Sequence, residues 1–104
     1  MAASRHLGYE NQQVLTLVQA MLGAISPNVR AVSIDCLDDG VHLYFVLEQD
    51  RAEDREEIED IAAEFEALQE GPIEIETHVS ISSERWPKGV GSVRGRPVYV
   101  RRGM

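Results

Sequence analysis

Three histidines, one cysteine, a glycine-rich stretch and a run of carboxylates are the residues of this 104-residue chain whose types could do chemistry. His42 and His78 fall on two segments of alternating polarity, on the polar side of each, so they could approach one another across a sheet. With Tyr44 beside them they would make a ribonuclease-like acid–base pair. The neighbouring Glu74 and Glu76 would repel a phosphate substrate, so these histidines are expected to meet solvent or a partner rather than a substrate or a metal. His6 stands apart, near the start of the chain. No HExxH, CxxC or EF-hand spacing is present. Cys36 shares a strand face with Val32 and Ile34 and has Asp35, Asp38 and Asp39 nearby. It reads as a small buried hydrophobe, because a nucleophilic thiol needs a base and electropositive surroundings. Gly89, Gly91 and Gly95, with Lys88, do not form a phosphate loop: the GK[ST] ending is missing and no helix follows. No catalytic residue, cofactor or metal is expected, and the chain does not read as an enzyme.

The carboxylates form the strongest pattern. Glu53, Glu56, Glu57, Asp60 and Glu64 fall in one band when placed at about 100° per residue. Arg51 and Arg55 are too few to neutralise it. One reading is a solvated helix face, tolerated because the helix dipole favours acids near the N-terminus. The other is an electrostatic docking face for a basic partner. General acid–base chemistry is not supported, since nothing predicts a desolvated setting for these groups. Trp86, beside Pro87, either caps the core or is an exposed aromatic anchor of the kind enriched in binding hot spots.

The elements that must position these residues follow from periodicity. Val14, Leu17, Val18, Met21, Leu22 and Ile25 recur at three- and four-residue steps, which predicts a helix over 11–25 with Asn11 as its N-cap. Residues 1–8 form a loose lead-in, and Ser26-Pro27-Asn28 stops the helix. Residues 29–37 and 41–48 alternate and are joined by Asp38-Asp39-Gly40, a hairpin signal. A second helix follows, with Asp50 and Glu53 resembling a capping box and Ile58, Ile61, Ala62, Phe65 and Leu68 as its apolar stripe. Gly71-Pro72 ends it. In the next strand Ile73, Ile75, Thr77, Val79 and Ile81 oppose Glu74, Glu76, His78 and Ser80. Residues 84–96 read as a Gly/Arg-rich loop, and 98–101 as a short strand, at an edge because Pro97 lacks an amide donor. The expectation is one α+β domain over 1–104, of order α-β-β-α-β-β. Its mainly antiparallel four-stranded sheet would carry two helices on one face. The other face would be open and present His42, Tyr44, Glu74, Glu76 and His78.

Composition narrows the partners. The net charge is −8, with 43% apolar and 27% charged residues. The charge is uneven: residues 1–84 hold 18 acidic and 4 basic side chains, and residues 85–104 hold six basic and no acidic ones. A negative surface repels nucleic acid and anionic membranes, so neither is expected as a partner. No apolar run approaches the roughly 18–20 residues of a membrane span, and the first residues lack a signal-peptide pattern. With a single cysteine, these features point to a cytoplasmic protein.

The stretch Met21-Leu22-Gly23-Ala24-Ile25-Ser26-Pro27-Asn28-Val29-Arg30-Ala31-Val32-Ser33-Ile34 resembles small bacterial proteins that serve as immunity partners of contact-dependent growth inhibition toxins. Glu59-Asp60-Ile61-Ala62-Ala63-Glu64 and Val98-Tyr99-Val100-Arg101-Arg102 extend the likeness over most of residues 15–102, while the loop over 85–96 departs from it. The resemblance implies inhibition by binding: a cognate toxin domain, often a nuclease, is neutralised without covalent chemistry. Nuclease domains are basic because they bind phosphate backbones, and an acidic inhibitor gains association rate and selectivity. The expected contacts are Glu53, Glu56, Glu57, Asp60 and Glu64, with Tyr44 or Trp86 as aromatic anchor, or else the sheet face around Tyr44, Glu74, Glu76 and His78. The alternative is a non-enzymatic regulatory or structural module, a homodimer through the open sheet face or the last strand. A small enzyme built on His42 and His78 is the third reading.

Overall fold

The computed structural model describes residues 2–83 and 95–101, with residues 2–7 described in their backbone only. The elements run α1 (Ala2–Met21), β1 (Val29–Leu37), β2 (Gly40–Leu47), α2 (Ala52–Ala67), β3 (Ile75–Ile81) and β4 (Arg96–Val100). This is the α-β-β-α-β-β order expected from periodicity. The four strands form one sheet in the order β3-β2-β1-β4. β1 pairs antiparallel with both β2 and β4, but β2 and β3 are parallel. The sheet is therefore mixed rather than mainly antiparallel. The half-apolar alternation of the strands reports that one face carries the helices; it says nothing of strand direction. Direction follows from connectivity, because a strand that returns after a helical crossover, as β3 does after α2, runs parallel to the strand before it.

Leu17, Ala20 and Met21 of α1 and Ile58, Ile61 and Phe65 of α2 join Ile34, Leu43, Phe45 and Leu47 in one buried cluster. Both helices thus cover the same sheet face. Burying each such Leu, Ile or Phe side chain contributes roughly 1.5–3 kcal/mol. The middle of α1 is tied to the segment just after α2 by a reciprocal amide pair, Gln13 to Gln69 at 3.0 Å and Gln69 to Gln13 at 2.9 Å.

Helix α1 begins at Ala2, well before the expected N-cap Asn11. Asn11 lies inside the helix, where its side-chain oxygen accepts a hydrogen bond from Arg96 at the start of β4. Val18 and Leu22, expected in the stripe, are exposed, and buried Gln13 and Ala20 take the inward positions. The helix stops at Met21, and Gly23 follows with φ 77°, the left-handed position that ends many helices. The capping box at α2 is also absent. Arg51 is the N-cap and makes no side-chain cap bond. Asp50 is drawn away to Arg55 at 2.6 Å.

The β1–β2 hairpin turns through Asp38 and Asp39, with Leu37 paired to Gly40. Gly40 has φ 136°, and a Cβ there would lie 2.5 Å from the carbonyl oxygen of Glu74. That carbonyl accepts from the amide of Val41 at 2.9 Å, so the missing side chain lets the chain before β3 close onto the hairpin. The sheet face away from the helices is not open throughout: Ala31, Ser33 and Val46 are buried on it. β4 occupies an edge, as Pro97 required, and starts at Arg96, inside the stretch expected to be a loop.

Candidate functional site

The Ser26-Pro27-Asn28 stretch is a polar knot. Asn28 is buried and donates from Nδ2 to the carbonyl of Gln49 at 2.7 Å and to Asp54 Oδ2 at 2.8 Å, while its Oδ1 accepts the amide of Gln49 at 3.0 Å. Ser26 Oγ donates to Asp54 Oδ1 at 2.7 Å. The buried carboxylate of Asp54, in the first turn of α2, thus receives a donor on each oxygen and faces the positive end of the helix dipole. Arg101 donates to the carbonyl of Pro27 and, at 2.7 Å, to Glu48. The hydrogen bond from Arg101 is the main cause holding the Glu48 carboxyl below its ordinary pKa. Arg30 is fully buried where β1 loses register between Val29 and Ala31, and its guanidinium donates to the carbonyl of Ser82 at 2.8 Å. The signature residues Ser26, Asn28 and Arg30 therefore act as fasteners between the loop after α1, the start of α2 and the end of β3. Beside the knot lies a cleft of about 580 Å³, bordered by Ile25, Gln49, Glu53, Glu57 and Arg101.

Helix α2 carries the acidic band. Glu53, Glu56, Asp60 and Glu64 are exposed and Glu57 is half-buried at the cleft. The two arginines closest in sequence are engaged elsewhere. Arg51 donates to Gln49 at 3.0 Å, and Arg55 is held by Asp50. That ion pair, chiefly through its hydrogen bond, lowers the Asp50 pKa and raises that of Arg55. Among the described residues none of the five acids is ion-paired, so the band keeps an excess of negative charge toward solvent.

The second expected surface sits on the opposite face of the sheet. On β2 the buried Val41, Leu43 and Phe45 point to the helices, so His42 and Tyr44 between them point away. Parallel pairing sets His42 opposite Glu76 and Tyr44 opposite His78. The ring of His78 lies near-parallel to both, with planes within 16°: it meets His42 edge to edge, centroids 5.2 Å apart, and stacks on Tyr44 at 4.7 Å. His42 Nδ1 and His78 Nε2 are 2.9 Å apart, and His42 Nε2 is 3.1 Å from Asp39 Oδ1. Glu74, just before β3, is exposed beside this group. The structure therefore gathers the five acids on α2 and gathers Tyr44, Glu76 and His78 with His42, but separates the two groups by the thickness of the sheet. Trp86, Lys88, Gly89 and Gly91 lie outside the described residues, as does the side chain of His6.

Sequence reasoning missed Asp39 as the partner of His42, although their i, i+3 spacing across the hairpin turn was visible. It also missed an exposed apolar stripe on α1, where Leu15 and Leu22 are 69% and 75% accessible and Val18 lies between them. Cys36 is buried as expected. Burial, and then the charges of Glu10 and Asp35, push its thiol up to about 11. It is a poor nucleophile, since the thiolate is the reactive form.

Both faces are surfaces on which a second protein could rest. A family model covering residues 10–103, nearly the whole chain and all of the described strands, describes immunity proteins. The chain belongs to the MafI2 immunity protein family. No curated protein matches it. Membership makes a toxin the natural partner. Among the described residues no helix is long and apolar enough to cross a membrane.

Proposed function

We propose that this protein acts in the cytoplasm as the immunity partner of a toxin delivered by contact between cells, and that the toxin domain is a basic nuclease. Inhibition is by non-covalent binding, with the acidic face of α2 as the docking surface. The observation that carries this reading is the unneutralised band Glu53, Glu56, Glu57, Asp60 and Glu64, whose neighbouring arginines are tied to Gln49 and Asp50. A nuclease must attract phosphate and so presents the opposite charge. Steering between such surfaces raises association rates by about 10–10³-fold at low salt. Tyr44, Glu74, Glu76 and His78, on the far side of the sheet, cannot join α2 in one flat contact.

The test has two parts. A toxin domain captured with this chain must kill cells when expressed alone and spare them when the chain is co-expressed; failure of rescue removes the immunity reading. Reversing Glu56, Glu57 and Asp60 together to Lys should leave the fold intact and slow association at low salt by about ten-fold or more. The difference should shrink as salt is added. Unchanged association at low salt would take α2 out of the interface and leave the sheet face as the contact.

A further inference from the structure

We infer that His42, His78 and Glu76 form a binding site for a divalent transition-metal ion, with zinc as the representative. Their ligand atoms all lie within 4.8 Å of one another on adjacent strands. His42 Nδ1 and His78 Nε2 are 2.9 Å apart, and Glu76 Oε2 is 3.3 Å from His78 Nε2. Two ligands about 2.0–2.1 Å from a tetrahedral zinc stand roughly 3.3 Å from each other. The His78–Glu76 spacing already meets this value; the two imidazole nitrogens must part by a few tenths of an ångström, and their rings, which meet edge to edge, must tilt so that both lone pairs converge with Glu76 on one point.

Tautomer and orientation are set in advance. A carboxylate only accepts hydrogen bonds, so Asp39 Oδ1, 3.1 Å from His42 Nε2, keeps the proton of His42 on Nε2. The lone pair of Nδ1 is thereby aimed at His78. This carboxylate–histidine arrangement is the one that orients imidazole ligands around metals. Stacking on Tyr44 holds the ring plane of His78. Without metal, His78 donates its Nε2 proton to His42 Nδ1. On binding, that proton moves to His78 Nδ1, and the cation takes the place of the hydrogen bond.

The ligand set selects the class of ion. Two imidazoles and one carboxylate suit zinc, copper, nickel or ferrous iron rather than the all-oxygen shells of calcium and magnesium. Three protein ligands leave a coordination position for water. A cavity of about 210 Å³ bordered by Asp39, His42, Glu74 and Glu76 adjoins two of the three ligands. Side-chain exposure rises from 12% at His42 to 37% at His78 and 65% at Glu76, so the ion enters from solvent along β3. None of this depends on the identity of a toxin.

The test is titration of zinc into the chelator-treated full chain, read by competition with a chromophoric chelator, with cobalt absorption as a report of coordination geometry. One saturable equivalent is expected. Affinity should fall about ten-fold or more in Glu76→Gln and in Asp39→Ala, a ligand and an orienting residue, and further in His78→Gln. Glu76 and Asp39 are exposed and sit at the sheet edge and in the turn, so these two variants probe the site without unfolding the core, as circular dichroism would verify. Absence of a saturable equivalent up to millimolar zinc overturns the proposal. So does undiminished affinity in all three variants, which would put the ion on the acidic helix instead.

Discussion

Replacing Asn28 by alanine tests whether the Ser26-Pro27-Asn28 signature is a fastener of the fold. The substitution deletes two donated hydrogen bonds, to the Gln49 carbonyl at 2.7 Å and Asp54 Oδ2 at 2.8 Å, and one accepted from the Gln49 amide at 3.0 Å. Each such bond is worth about 1 kcal/mol net, and a buried group left without its partner costs a further 1–3 kcal/mol or so. Asp54 is only 6% exposed and would lose the donor on one carboxylate oxygen. The sum is roughly 4 kcal/mol, a large share of the 5–15 kcal/mol or so that holds a domain of this size. Urea unfolding followed by circular dichroism measures it. With an m-value of about 1–3 kcal/mol per molar for small proteins, the midpoint should fall by about 2 M. A double-mutant cycle with Asp54→Ala adds a sharper criterion. The two changes should together cost at least about 1 kcal/mol less than their sum, because the second removes a partner already lost. A loss below about 1 kcal/mol for Asn28→Ala, with an unchanged m-value and strict additivity with Asp54→Ala, would show that water serves these groups equally well. The account of the signature as structural would then be wrong.

Two further perturbations follow from the same geometry. Gly40→Ala sets a methyl 2.5 Å from the Glu74 carbonyl at φ 136°. It should destabilise by about 1–3 kcal/mol, whereas a thermal midpoint equal to that of the parent protein would show the contact to be slack. The Glu48 pKa is depressed by Arg101, so its stabilising contribution is complete above the ordinary carboxylate value of 4.5 and is lost as pH falls through the lower folded value. Arg101→Ala should therefore flatten the acid limb of the stability–pH curve, and an unchanged limb would place the acid sensitivity elsewhere.

Much of the architecture was legible from periodicity. The order of elements and the inward residues Leu17, Ile34, Leu43, Phe45, Ile58, Ile61 and Phe65 follow from three-four and two-residue spacing, because burial of one face is the dominant free energy and must repeat with the backbone. Helix ends were less legible. Asp50 followed by Glu53 satisfies the local pattern of a capping box, yet Arg55 competes for Asp50 within five residues and wins. Asn11 satisfies the pattern of an N-cap, yet the helix runs through it and Arg96 takes its side chain from a segment 85 residues away. Val18 and Leu22 fit the helical stripe but lie on the side that neither the sheet nor α2 covers.

The class of the protein, the alternation of its strands and the excess of negative charge on α2 are written in the order of residues, since each of these is a property of neighbours in the chain. That order also brought out the stretch around Ser26-Pro27-Asn28 as distinctive, without saying what that stretch holds. That β3 runs parallel to β2, and with it that His42 faces Glu76 and His78 reaches His42, emerges only in the folded chain. A shift of one residue in that pairing would turn these side chains to the other face of the sheet. The register joins residues far apart in the chain, and no local spacing encodes it.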